Sequence, residues 1–117
     1  MMKKDKLVIN EIYKELFEDN LKQYSERLNR QDPESYHEGT FSQVNKIFVN
    51  LSEKEKQSVI DMMKIVMADT ASTIFGMLDG THFVNHIDED FQLIYDNEEI
   101  QGDLQDHFLA LVEDNNS

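Results

Sequence analysis

The stretch VIDMMKIVMADTASTIFGML, Val59–Leu78, decides how this chain folds. Eleven of its twenty residues are large and apolar, from Val59 and Ile60 through Met62, Met63, Ile65, Val66 and Met67 to Ile74, Phe75, Met77 and Leu78. At about 100° per residue they cover most of a helix's circumference, the mark of a helix meant to be central, with the others wrapped around it. Its boundaries are written beside it. Ser52-Glu53-Lys54-Glu55 is a capping box, in which the Ser52 hydroxyl accepts from the residue-55 amide and Glu55 reaches back. Gly80 supplies a left-handed C-cap.

One polar stripe interrupts this cylinder. Asp69, Ser72, Thr73 and Gly76 share a flank at helical spacing. As a functional feature it is a small pocket with one carboxylate, fit to act as a base or to bind a cation. As packing, Ala68, Ser72 and Gly76 at spacings of four let another segment approach closely, and the hydroxyls bond one turn back. Packing is the expectation. The methionines grouped here are read the same way, as gap-fillers, unless one face lies exposed and becomes a partner groove or a dimer seam.

Outward from this segment the chain stays helical. Val8, Ile12, Leu16, Phe17, Leu21, Tyr24 and Leu28 recur at spacings of three and four, predicting one long N-terminal helix. Asp32-Pro33 stops it, because the residue before proline is pushed out of the helical region. Residues 31–40 form a connecting loop. A second helix begins at Thr40 or Ser42 and ends near Asn50, with Phe41, Val44, Phe48 and Leu51 on one side. After Gly80, Phe91–Tyr95 and Ile100 flank Asp96-Asn97-Glu98-Glu99 as a short hairpin. Asp103 is the expected N-cap of a last helix that lines up Leu104, Phe108, Leu111 and Val112. The predicted fold is mainly α: about four helices, a long apolar one central, and a short β-hairpin before the last. It forms a single domain over residues 1–117, with 1–4 and 114–117 frayed.

Composition bounds the function. Of the 117 residues 24 are acidic and 11 are Lys or Arg, for a net charge of −13. The imbalance is local: after Lys64 come twelve acids and no Lys or Arg. Such a field repels nucleic acid and anionic membrane and attracts basic surfaces. The plain alternative is a solvated surface that keeps a small protein in solution. The absence of cysteine excludes disulfides, thiolate metal sites and thiol catalysis, and fits a reducing, cytoplasmic compartment. No apolar run comes near the roughly 20 residues a membrane helix needs.

No catalytic constellation is written in the sequence. His82 and His86, with Asp88, Glu89 and Asp90, offer nitrogen and oxygen ligands to zinc, manganese or iron. A His-x₃-His pair aligns only on a helix, however, and this one follows the Gly80 cap. His107 has Asp103 one turn before it, but no Ser/His/Asp set follows from sequence order. The four glycines are isolated, so no phosphate loop exists. No metal and no cofactor is expected.

In its general profile (small, acidic, helical, without cysteine) the chain resembles bacterial immunity proteins and other acidic inhibitors of a basic partner such as a nuclease toxin. That resemblance is one of character and assigns no residue. The first expectation is a non-enzymatic protein-binding module whose acidic half docks on a basic protein. Its partner-binding residues would be Asp88, Glu89, Asp90, Asp96, Glu98, Glu99, Asp103 and Asp106. A helical homodimer of structural or regulatory role is the alternative, and a small metal enzyme using His82 and His86 stands behind both.

Overall fold

The computed structural model describes residues 2–30 and 39–116. Helix α1 is one continuous rod over residues 4–28. It is regular over Lys4–Lys14, widens to a π turn over Glu15–Asn20 and is regular again over Leu21–Leu28. The proline stop and most of the connecting loop, residues 31–38, lie outside the described residues. Helix α2 spans Thr40–Phe48, α3 spans Glu53–Asp79 and α4 spans Leu104–Asn116. Between α3 and α4 lies an antiparallel hairpin of β1 (Ile94–Tyr95) and β2 (Glu98–Glu99). The fold is thus mainly helical, with four helices and a hairpin before the last.

Both ends of α3 form by local chemistry, as the sequence predicts. Glu55 N donates to Ser52 Oγ at 3.1 Å and Ser52 N donates to Glu55 Oε1 at 2.8 Å, closing the capping box. At the other end Gly80 takes φ 80°, and the amides of Thr81 and His82 turn back onto Gly76 O at 2.8 and 3.0 Å. A Cβ on Gly80 would meet nothing within 4 Å, so Gly80→Ala is penalised by backbone conformation alone. The expected cost is about 1 kcal/mol, read as a melting temperature lowered by about 4 °C. An unchanged melting curve would mean that α3 does not end there.

The hairpin is tighter than the aromatic run predicts. Ile94 pairs with Glu99 and Tyr95 with Glu98 across a two-residue turn. That turn is Asp96-Asn97, whose φ values of 51° and 64° suit residues that tolerate the left-handed region. Beyond the strands, Ile100 N donates to Leu93 O at 2.9 Å.

Helix α4 is the wedge of the main core, packed against both α1 and α3, which touch each other only lightly. Leu104 and Phe108 of α4 are fully buried with Ile9 of α1 and meet Ala68 and Phe75 of α3. The ring of Phe108 lies 5.2 Å from Phe75 and 6.1 Å from both Tyr13 and Phe17. The small-residue stripe of α3 faces this wedge. Gln105 Nε2 donates to Ser72 O and Ser72 Oγ, both at 3.1 Å, and its amide lies where a Cβ on Gly76 would stand, 2.8 Å away. Packing is therefore the role of Ala68, Ser72 and Gly76, while Asp69 and Thr73 beside them are exposed.

A second, smaller cluster sits at the far end of α1. Leu28 and Phe48 are buried there, Tyr24 stacks on Phe41 at 5.8 Å, and the Arg27 guanidinium lies 3.6 Å above the Phe41 ring. Phe48 is buried and Phe41 packs as periodicity predicts, but Val44 is exposed and the buried face turns towards Ser42 and Asn45. The reason is polar. Asn45 Nδ2 lies within hydrogen-bond distance of the carbonyls of Arg27, Leu28 and Arg30 at 3.2, 2.7 and 3.1 Å, and its two N–H groups are shared among these open acceptors at and just past the end of α1. Lys56 ties this cluster to α3 through Asn29 Oδ1 at 2.9 Å.

Two clusters on one rod give an extended shape, 47 × 36 × 25 Å. The radius of gyration is 17.6 Å; a compact chain of this length would have about 13 Å. Helix α3 is long and apolar as expected, but its neighbours cover one flank only.

Candidate functional site at the acidic end

Everything from the end of α3 to the first turn of α4 gathers at one end of the molecule, held by a few specific bonds. The key one is Asp79, the last residue of α3. Its carboxylate accepts from the amides of Gly102 (2.6 Å), Leu104 (3.2 Å) and Gln105 (2.8 Å), the open donors at the start of α4. The sequence gives this task to Asp103. Asp103 occupies the cap position, its carbonyl accepting from His107 N at 3.0 Å, but the capping carboxylate comes from another helix. Gly102 takes φ 131°, a backbone that presents its amide to Asp79 and that side chains disfavour. The hairpin is fixed in turn by buried Ile100, by Gln101 Oε1 accepting from Leu93 N at 2.9 Å, and by Lys4. The Lys4 ammonium donates to Asp96 O at 3.0 Å and lies 3.3 Å from its carboxylate.

All eight predicted partner-binding acids are exposed: Asp88, Glu89, Asp90, Asp96, Glu98, Glu99, Asp103 and Asp106. Among the described residues Lys4 is the one Lys or Arg within ion-pair distance of any of them. Their field therefore points into solvent. Sequence reading missed their apolar neighbours. Phe83 is 84% exposed in the loop after Gly80, and Ile94 and Tyr95 stand exposed on the hairpin. Because directly paired residues share a face of the sheet, each face carries one large apolar side chain beside one acid: Ile94 with Glu99, Tyr95 with Glu98. Their signal in the sequence is aromatic enrichment, which strand propensity alone also explains.

The titratable groups that converge are not the expected ones. His82 and His86 are both exposed in the loop, the latter at φ 71°. Among the described residues the set whose ligand atoms lie within 4.8 Å of one another is Asp5, Asp103 and His107. His107 Nε2 is 3.0 Å from Asp5 Oδ2, a contact between residues 102 positions apart that no local pattern foretells. Burial pushes the Asp5 carboxyl up, but the His107 hydrogen bond and the Lys6 amide outweigh it and hold it below the usual carboxylate range. The bond clamps the first turn of α1 to α4. No protein-family model, curated protein or solved structure matches this chain.

Proposed function

We propose that this protein is a non-enzymatic binding module whose acidic end docks on a basic protein, in the manner of an immunity-type inhibitor that covers the site of a toxin such as a nuclease. The observation that carries this is the hairpin. It exposes Ile94 and Tyr95, each set against an acid, on a part of the surface with almost no balancing cation. Exposed carboxylates alone serve solubility. Large apolar groups held beside them are what an interface needs, with apolar anchors at the centre and charges for steering. Asp96 serves the turn and pairs with Lys4, but Glu98 and Glu99 have no ion pair among the described residues, and like charges side by side repel.

The proposal is tested by immobilising the protein, recovering basic partners at low salt and measuring association at two salt concentrations. With the double variant Glu98→Lys and Glu99→Lys, the on-rate is expected to fall about tenfold, and the wild-type on-rate to fall steeply as salt rises. Circular dichroism should be unchanged, since both residues are exposed. A partner that binds with salt-independent kinetics, or that ignores the double variant, would return the acidic end to a solubilising role.

A further inference from the structure

A different surface, along α3 rather than on the hairpin, carries a second reading. Helix α3 turns its small-residue flank to α4, and its opposite side is bare. There Met62 is 58% exposed, Val66 56% and Ile74 48%. Along this side run Val59, Met63, Val66, Thr70, Thr73 and Met77, spaced four, three, four, three and four, the seam of a coiled coil; Val66, Thr70 and Thr73 at its centre are exposed, and Val59, Met63 and Met77 are half-buried. Beside the seam, where α4 does not reach, α1 and α3 leave an open apolar groove of about 420 Å³ lined by Ile12, Leu16, Val66, Met67 and Ile74 among others.

We infer that this face is covered by a second copy of the same chain, its α3 running antiparallel to the first about a two-fold axis at residue 68. The spacing is palindromic about that point. Antiparallel pairing sets Val59 against Met77, Met63 against Thr73 and Val66 against Thr70, so each threonine meets a larger apolar residue. A parallel pair would stack threonine on threonine in two layers. Charge selects the same direction. In the first half of α3, residues 53–64 balance three lysines against three acids, whereas residues 65–117 hold twelve acids and no Lys or Arg. A parallel pair would lay the two acidic halves side by side, and an antiparallel pair lays each beside the balanced half of its partner.

The area agrees. The chain exposes 8609 Å²; a compact monomer of its mass would expose about 6,600 Å². The surplus of about 2,000 Å², spread over the extended chain, leaves room for the roughly 1,000 Å² or more per chain that an obligate homodimer interface covers.

The absence of cysteine makes the test direct. Sedimentation or light scattering at micromolar concentration should give twice 13.8 kDa. Val66→Lys, at an exposed position, should return the mass to that of one chain with helicity intact, weakening association roughly a hundredfold or more by burying a charge. For direction, Val66→Cys and Thr70→Cys proteins mixed under mild oxidation should cross-link to each other far more than either does to itself. A monomeric wild type, or a dimer untouched by Val66→Lys, overturns the interface. Strong self-cross-linking of each single variant overturns the antiparallel arrangement. Partner capture through the hairpin is read separately, so this proposal and the binding function fail independently.

Discussion

Phe108→Ala is expected to destabilise the protein by about 3–5 kcal/mol. Phe108 has no exposed surface, and among the described residues its ring joins those of Tyr13 and Phe17 in α1 to that of Phe75 in α3. Truncation leaves a cavity that Phe75, Tyr13 and Phe17 can fill only by giving up their own packing. Set against a typical total of about 5–15 kcal/mol, one such change leaves the fold near its limit. The measurement is urea unfolding, with a lowered midpoint and an unchanged slope. Leu109→Ala provides the comparison: the same helix, the neighbouring position, but 37% exposed and outside the core. Equal losses from the two variants would show that the α1–α4–α3 core is misplaced.

Asp79→Ala is expected to cost about 2–3 kcal/mol, more than an ordinary cap. Three amides lose one charged acceptor together, and they belong to a different helix from the side chain. Asp79→Asn, which keeps one acceptor oxygen but not the charge, should fall between. Hydrogen exchange supplies the specific readout. The amides of Gly102, Leu104 and Gln105 should exchange faster in Asp79→Ala, while those in the middle of α3 keep their protection relative to the global stability. Uniform loss of protection would mean that Asp79 has no special tie to α4.

Asp79 also shows where the sequence stops speaking. A carboxylate at a helix C-terminus is on the wrong end of its own helix dipole, so judged within α3 it is a small defect. It becomes an asset only once the start of α4, 25 residues later, is brought against it. The same holds for Asp5 with His107 and for Asn45 with the end of α1: each partner lies far along the chain. What was legible was local. The Ser52–Glu55 box, the Gly80 cap and the Asp96-Asn97 turn each close within a few residues, and their chemistry admits little else. The eight acids were legible as a charged region but not as an interface, because strand propensity and exposed apolar anchors use the same residues. How far α3 is enclosed is not legible for a related reason. Periodicity counts the apolar faces a helix has, not the neighbours available to cover them, and one 117-residue chain supplies cover for one flank.

The π turn at Glu15–Asn20 makes α1 a shaft with a phase offset. Such a turn holds one residue more than the α geometry around it, and one residue is worth about 100° of rotation. Ahead of it Ile9 and Tyr13 aim at α4; behind it Tyr24 and Leu28 aim at α2. Loss of a single residue inside the turn would leave an unbroken α-helix with its backbone bonds made and no local defect. It would nevertheless rotate the Asn45 clasp and all of α2 about a quarter of the way around the shaft, away from Lys56 and the start of α3. The chain can thus absorb many substitutions on the faces of this segment, but its length there is a fixed setting that indexes one cluster of the protein against the other.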